Sequence, residues 1–98
     1  MEPARQRELR ESVAANVEAA RRRRGWTQAE LAERAEIDEM TLKGVELAKY
    51  TAKLTTFVSL ARALGVTADE LLKPKRFARA KRGRPRLKGK DPNLPRLL

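Results

Sequence analysis

Few side chains in this 98-residue chain can do covalent or metal chemistry. Neither cysteine nor histidine occurs, which removes thiol nucleophiles, imidazole acid–base catalysis, disulfides and Cys/His zinc sites. The only serines, Ser12 and Ser59, lie outside any Gly-x-Ser-x-Gly setting. What remains is cationic: 23 Lys and Arg against 13 Asp and Glu give a formal charge of +10. The cations are concentrated at one end. Residues 1–74 hold 13 basic and 12 acidic side chains, whereas residues 75–98 hold 10 basic side chains and one acid, Asp91. Guanidinium and ammonium groups at this density attract polyanions, and nucleic acid is the commonest intracellular one. The bland alternative is a solvated tail without a partner. Catalysis and cofactors are not expected.

A length of 98 residues and a mass of 11.1 kDa suit one small domain, residues 1–74, followed by a basic tail, residues 75–98. The longest nearly apolar run, Phe57 to Ala61, is far short of the ~20 residues needed to cross a bilayer. Glu2, Arg5, Arg7 and Glu8 stand where a secretory signal would need its apolar core. The expectation is a soluble, cytoplasmic protein with no membrane partner.

The body that must position these charges reads as helix almost throughout. A first helix starts between Pro3 and Arg7 and runs to Arg24, with Leu9, Val13, Val17 and Ala20 as its inward stripe and Gly25 after its end. Thr27 and Glu30 form a capping box for a second helix, about Gln28 to Ala35, with Trp26 and Leu31 at hydrophobic-staple spacing. Asp38 caps a third helix that turns Leu42 and Val45 inward. After a loop around Leu47 to Lys53, a fourth helix from about Leu54 to Leu64 is expected to bury Leu54, Phe57, Val58, Ala61 and Leu64. Thr67 and Glu70 repeat the capping box for a short fifth helix that ends at Pro74. Five short helices with short turns predict a compact all-α domain.

From about Val13 to Leu72 this arrangement resembles the Cro/C1-type (Xre-like) helix-turn-helix family. The resemblance rests on the run Gly25 to Ala35, on Ile37-Asp38, Thr41-Leu42 and Val45-Glu46, and on Leu60 to Val66. It implies a lambda-repressor-like domain in which the second and third helices form the helix-turn-helix and the third lies in the DNA major groove. Gln28 then matches the family's phosphate-binding glutamine. Glu39, Met40, Lys43 and Gly44 fall at outward positions facing base edges, and Leu47 and Lys49 at positions that touch the backbone. Glu46 matches a glutamate that pairs with an arginine of the first helix, here Arg21. Arg22, Arg23 and Arg24 are candidates for phosphate contact or a solvated face.

Three features depart from the family pattern. The turn between the second and third helices has Glu36 where glycine is usual, a cost of about 1 kcal/mol if φ is positive there. Gly44 lies within the third helix, where it costs roughly 1 kcal/mol against Ala. Gln28 to Glu46 carries six acids and two bases. Two accounts follow. In one, the third helix reads DNA, with Glu39 accepting from cytosine N4, Lys43 donating to guanine and Met40 touching a thymine methyl. In the other, the helix-turn-helix is a docking face for a regulatory protein, anchored by Met40, Leu47 and Tyr50.

Within the tail, Lys81-Arg82-Gly83-Arg84-Pro85-Arg86 resembles an AT-hook. Gly83 would let the backbone approach the floor of an A·T-rich minor groove, Arg82 and Arg84 would lie along it, and Pro85 would keep the chain extended. Arg86, Lys88 and Lys90 would meet phosphates. Apolar residues return in Asn93-Leu94-Pro95-Arg96-Leu97-Leu98, which can dock on the body or on a second subunit. The expected function is that of a DNA-binding transcription regulator; its partners would be double-stranded DNA and, as the family implies, a second copy in a homodimer. The alternative is an adaptor that reaches DNA mainly through its tail.

Overall fold

The computed structural model describes residues 4–77, and these form α1 (Ala4–Arg23), α2 (Gln28–Ala35), α3 (Glu39–Glu46), α4 (Leu54–Leu64) and α5 (Ala68–Leu72). The AT-hook-like expectation at Arg82, Gly83, Arg84, Pro85 and Arg86 lies outside the described residues. Among the described residues there is no strand, and no helix is long and apolar enough to cross a membrane.

Helix starts follow the capping chemistry of the sequence. Thr27 Oγ1 accepts from Glu30 N–H at 3.1 Å while Glu30 Oε1 accepts from Thr27 N–H at 2.8 Å, and Thr67 with Glu70 repeats both distances. Asp38 Oδ2 accepts from Thr41 N–H at the start of α3. Four helix ends use one solution, a left-handed residue followed by a bond from the next N–H back to a carbonyl five residues earlier. That residue is Gly25, Glu36, Ala48 or Gly65, and the bonds run from Trp26, Ile37, Lys49 and Val66 to Arg21, Ala32, Gly44 and Ala61.

α1 crosses the body and packs on α3, α4 and α5, while α2 packs on α3 and α4. Val17, Leu31, Leu42, Leu60, Leu64 and Leu71 are fully buried where these helices meet. Two side chains tie α1 to the ends of later helices. Asn16 Nδ2 donates to the carbonyls of Leu71 and Lys73, and Arg24 donates through Nε and Nη2 to the carbonyl of Leu64, the last residue of α4. These orphan carbonyls gain partners that helix geometry alone cannot supply.

The apolar stripes are longer than the core they face. Leu54 and Val58, expected inside, are 76% and 41% exposed, and Leu9 is 45% exposed. In α4 the buried side is set by Leu60, Ala61 and Leu64, so the covered face is turned away from Leu54 and Val58.

Candidate nucleic-acid interface

A buried carboxylate sits where α1, α2 and α3 meet. Glu46, at the end of α3, is wholly buried; its Oε2 accepts from Arg21 Nε at 2.8 Å and its Oε1 from Arg21 Nη2 at 3.0 Å. Oε1 also accepts from Gln28 Nε2 at 2.9 Å, and Arg21 Nη1 donates to the Trp26 carbonyl at 2.8 Å. One carboxylate therefore locks α1, the α1–α2 turn, the first residue of α2 and the last of α3. The bidentate bond to Glu46 raises the Arg21 pKa above its ordinary value, outweighing the desolvation that opposes it. The pair expected from the family resemblance is present, and Gln28 is drawn into it. One Gln28 N–H faces inward; the amide's second N–H and its oxygen are its remaining capacity at the α2 N-terminus.

With α3 locked on its inner side by Leu42, Val45 and Glu46, its outer side carries Glu39, Met40 and Lys43. Met40 is 74% exposed, and Lys43 Nζ lies 3.7 Å from Glu39 Oε2 one turn away. Lys49 is exposed beyond the helix end, and Leu47 is half-buried. Gly44 does not face outward. It is buried beneath Tyr50, and a Cβ placed on it would come within 2.6 Å of ring atoms Cε2 and Cζ and closer still to the hydroxyl. The Tyr50 hydroxyl donates to the Thr41 carbonyl at 2.9 Å, holding the ring across α3. Glycine at 44 thus makes room for a tyrosine six residues on.

Most of the acids that make this segment negative have local structural work. Glu30 and Asp38 cap helix N-termini, where the helix dipole favours a negative charge, Glu46 is neutralised by Arg21, and Glu39 faces Lys43. Glu33 and Glu36 remain as exposed acids without such a role in the geometry above. Only Glu46 leaves the surface: Glu30, Glu33, Glu36, Asp38 and Glu39 stay exposed beside Arg34 and Lys43, so the outer face of this segment remains acidic.

The three arginines after Arg21 separate. Arg22 Nη2 lies 2.9 Å from Glu18 Oε2 and is largely exposed, and Arg23 is exposed. Arg24 is a structural bracket: besides holding the end of α4, its guanidinium stands 5.3 Å from the Trp26 ring centre, with Arg34 at 4.4 Å. Arg24 is nonetheless exposed, so this packing stands beside its expectation as a phosphate contact or solvated face. Lys53, absent from the expected set, is exposed and occupies the α4 N-cap without a side-chain hydrogen bond to the first N–H groups of the helix. Its signal was legible only as a missing Ser, Thr or Asp before Leu54.

The profile of the family described as helix-turn-helix matches residues 17–71. The chain belongs to the helix-turn-helix family. A curated relative, a hypothetical transcription factor of Neisseria meningitidis serogroup B, is 35% identical over 69 residues, which are 70% of this chain. The match spans 65% of that relative, just under two thirds of its length. The crystal structure of a hypothetical transcription factor from Neisseria superposes with a TM-score of 0.66 at 34% identity, covering 76% of this chain and 85% of that one. The matched residues of this helix-turn-helix protein take in α2 to α4, most of α5 and both members of the Arg21–Glu46 pair. Among the described residues no group of three or more acidic side chains could hold a metal ion.

Proposed function

We propose that this protein is a transcription regulator that binds double-stranded DNA, with α3 in the major groove and residues 75–98 on the adjacent minor groove and phosphates. The observation that carries the reading is the locked α3: its inner face is fixed by three hydrogen bonds to Glu46, while Glu39, Met40 and Lys43 stand outward together. The helix-turn-helix family and relatives named as hypothetical transcription factors support it. On this reading Gln28, Lys49 and Lys53 would meet phosphates, and Lys43 would reach a base edge once it leaves Glu39. Residues 1–74 form the reading domain and residues 75–98 the grip, in the cytoplasm and on the nucleoid. A homodimer would place two copies of α3 on half-sites one helical turn apart.

The adaptor reading is weaker because of its three anchors only Met40 is largely exposed: Leu47 is half-buried, and Tyr50, although 44% exposed, is held over Gly44 by its bond to the Thr41 carbonyl. The deciding experiment selects bound sequences from random duplexes with the full chain and with Met40→Ala/Lys43→Ala. A sequence preference in the full chain that disappears in the variant supports groove reading. Preference unchanged by the double substitution would overturn it.

A further inference from the structure

An open apolar groove of about 590 Å³ lies on a part of the body that takes no side chain from α2 and only buried Val45 from α3. Leu9 and Val13 of α1, Tyr50 of the α3–α4 loop, Leu54 and Phe57 of α4 and Leu72 of α5 form its walls. Leu54 is 76% exposed, and Leu9, Tyr50 and Leu72 are 45%, 44% and 38% exposed. Large apolar side chains gathered like this mark a surface that something covers.

The chain carries a segment of matching chemistry. In Asn93-Leu94-Pro95-Arg96-Leu97-Leu98 the leucines stand at i, i+3 and i+4, the spacing of one face of a helical turn and of anchors that seat in a groove. In such a turn Pro95 would stand at the start, where a helix needs no N–H. Apart from Leu87, these are the only large apolar residues after Phe77.

We propose that Leu94, Leu97 and Leu98 dock in the groove of their own chain as a short amphipathic turn. The route is short. Leu72 is part of the groove wall, and Pro74 to Phe77 then run beside Glu8, Glu11 and Ser12 of α1, with Lys75 N–H donating to Ser12 Oγ at 3.3 Å. The 17 residues from Phe77 to Leu94 can span up to about 55 Å, more than the 44 Å longest dimension of the structure. A second copy is a poorer fit. Eleven residues line the groove, about half of the 20–30 per side in a standard protein interface. A tethered segment also competes at an effective concentration in the millimolar range. Docking would close the cationic stretch from Arg79 to Lys90 into a loop fixed at both ends.

The test needs no DNA, so its outcome is separate from that of the proposed function. The chain has no cysteine, so Arg96→Cys gives a single site for a nitroxide label on the side of the turn away from the leucines. In the ¹⁵N-labelled full chain, the label should abolish the amide signals of Leu9, Tyr50, Leu54 and Leu72, unchanged on tenfold dilution. Adding Leu94→Ser/Leu97→Ser/Leu98→Ser, or Leu54→Asp at its largely exposed position, should restore them. Intact groove signals in the labelled chain overturn the proposal. So does loss of those signals in unlabelled ¹⁵N chains mixed with spin-labelled ones, because the groove would then hold the segment of another copy.

Discussion

Glu46 shows how much one residue can fix. Its carboxylate accepts three hydrogen bonds from two side chains on separate helices, and none of its surface reaches solvent. Replacing it by Gln keeps the volume but removes the charge and turns an N–H₂ toward the Arg21 guanidinium. A buried cation left without its partner costs about 3–5 kcal/mol, a large part of the 5–15 kcal/mol that holds a domain of this size. Glu46→Gln should lower the urea midpoint accordingly with an unchanged m-value; a loss below about 1 kcal/mol would mean that the pair contributes little. The raised Arg21 pKa has a definite sign. Its contribution is complete at every pH below the ordinary arginine value and is lost only as pH climbs through the still higher folded value, so Arg21 adds no slope to stability around neutrality. This pair was legible in the sequence only through the family resemblance. Gln28's bond to the same carboxylate was not, because no local spacing relates residues 18 apart.

At the scale of elements, four helices end in the same left-handed turn, twice on glycine and twice not. Glu36 has φ 59° and Ala48 φ 56°, against 73° for Gly25 and 72° for Gly65. Glu36 is exposed, so relief of its strain can be measured without loss of packing. Glu36→Gly should raise stability by up to about 1 kcal/mol, roughly 4–8 °C in Tm for a domain of this size. Glu36→Gln, which removes the same charge and keeps the Cβ, should leave Tm nearly unchanged. Equal behaviour of the two variants would assign the effect to charge. Gly44 tests the opposite case, a glycine kept for room inside α3. Ala is favoured over Gly in a helix by about 1 kcal/mol, yet here its Cβ would run into Tyr50. Gly44→Ala should give no gain in the native chain and about 1 kcal/mol in a Tyr50→Ala background; equal gains in both would show that the ring yields freely. The sequence located the helix boundaries closely because capping boxes and staples are local chemistry. It misplaced Gly44 because the tyrosine that covers it comes from the next loop.

The whole molecule separates shape from charge. A nearly neutral helical body supplies a rigid α3, and the net positive charge lies after residue 74, where ten basic side chains face one acid. Periodicity found much of the core, with Val17, Leu31, Leu42, Ala61 and Leu64 buried as expected; it overextended the core at Leu54 and Val58 and left out Leu60, which is wholly buried, because which side of α4 is covered depends on tertiary placement. A division of labour in DNA binding follows from the proposed function and can be read from salt dependence. Each phosphate neutralised contributes about −0.9 to the slope of log K against log salt concentration, so Arg82→Ala/Arg84→Ala/Arg86→Ala should flatten it by roughly 2.7. If those arginines enter an A·T-rich minor groove, the same variant should also lose preference for A·T tracts flanking the site while keeping the α3-dependent sequence preference. Lys43→Ala should behave inversely, erasing the core preference and changing the slope by no more than about one unit. A triple variant whose slope matches that of the native chain would leave the tail off the DNA, and the grip would then have to come from Gln28, Lys49 and Lys53 on the body.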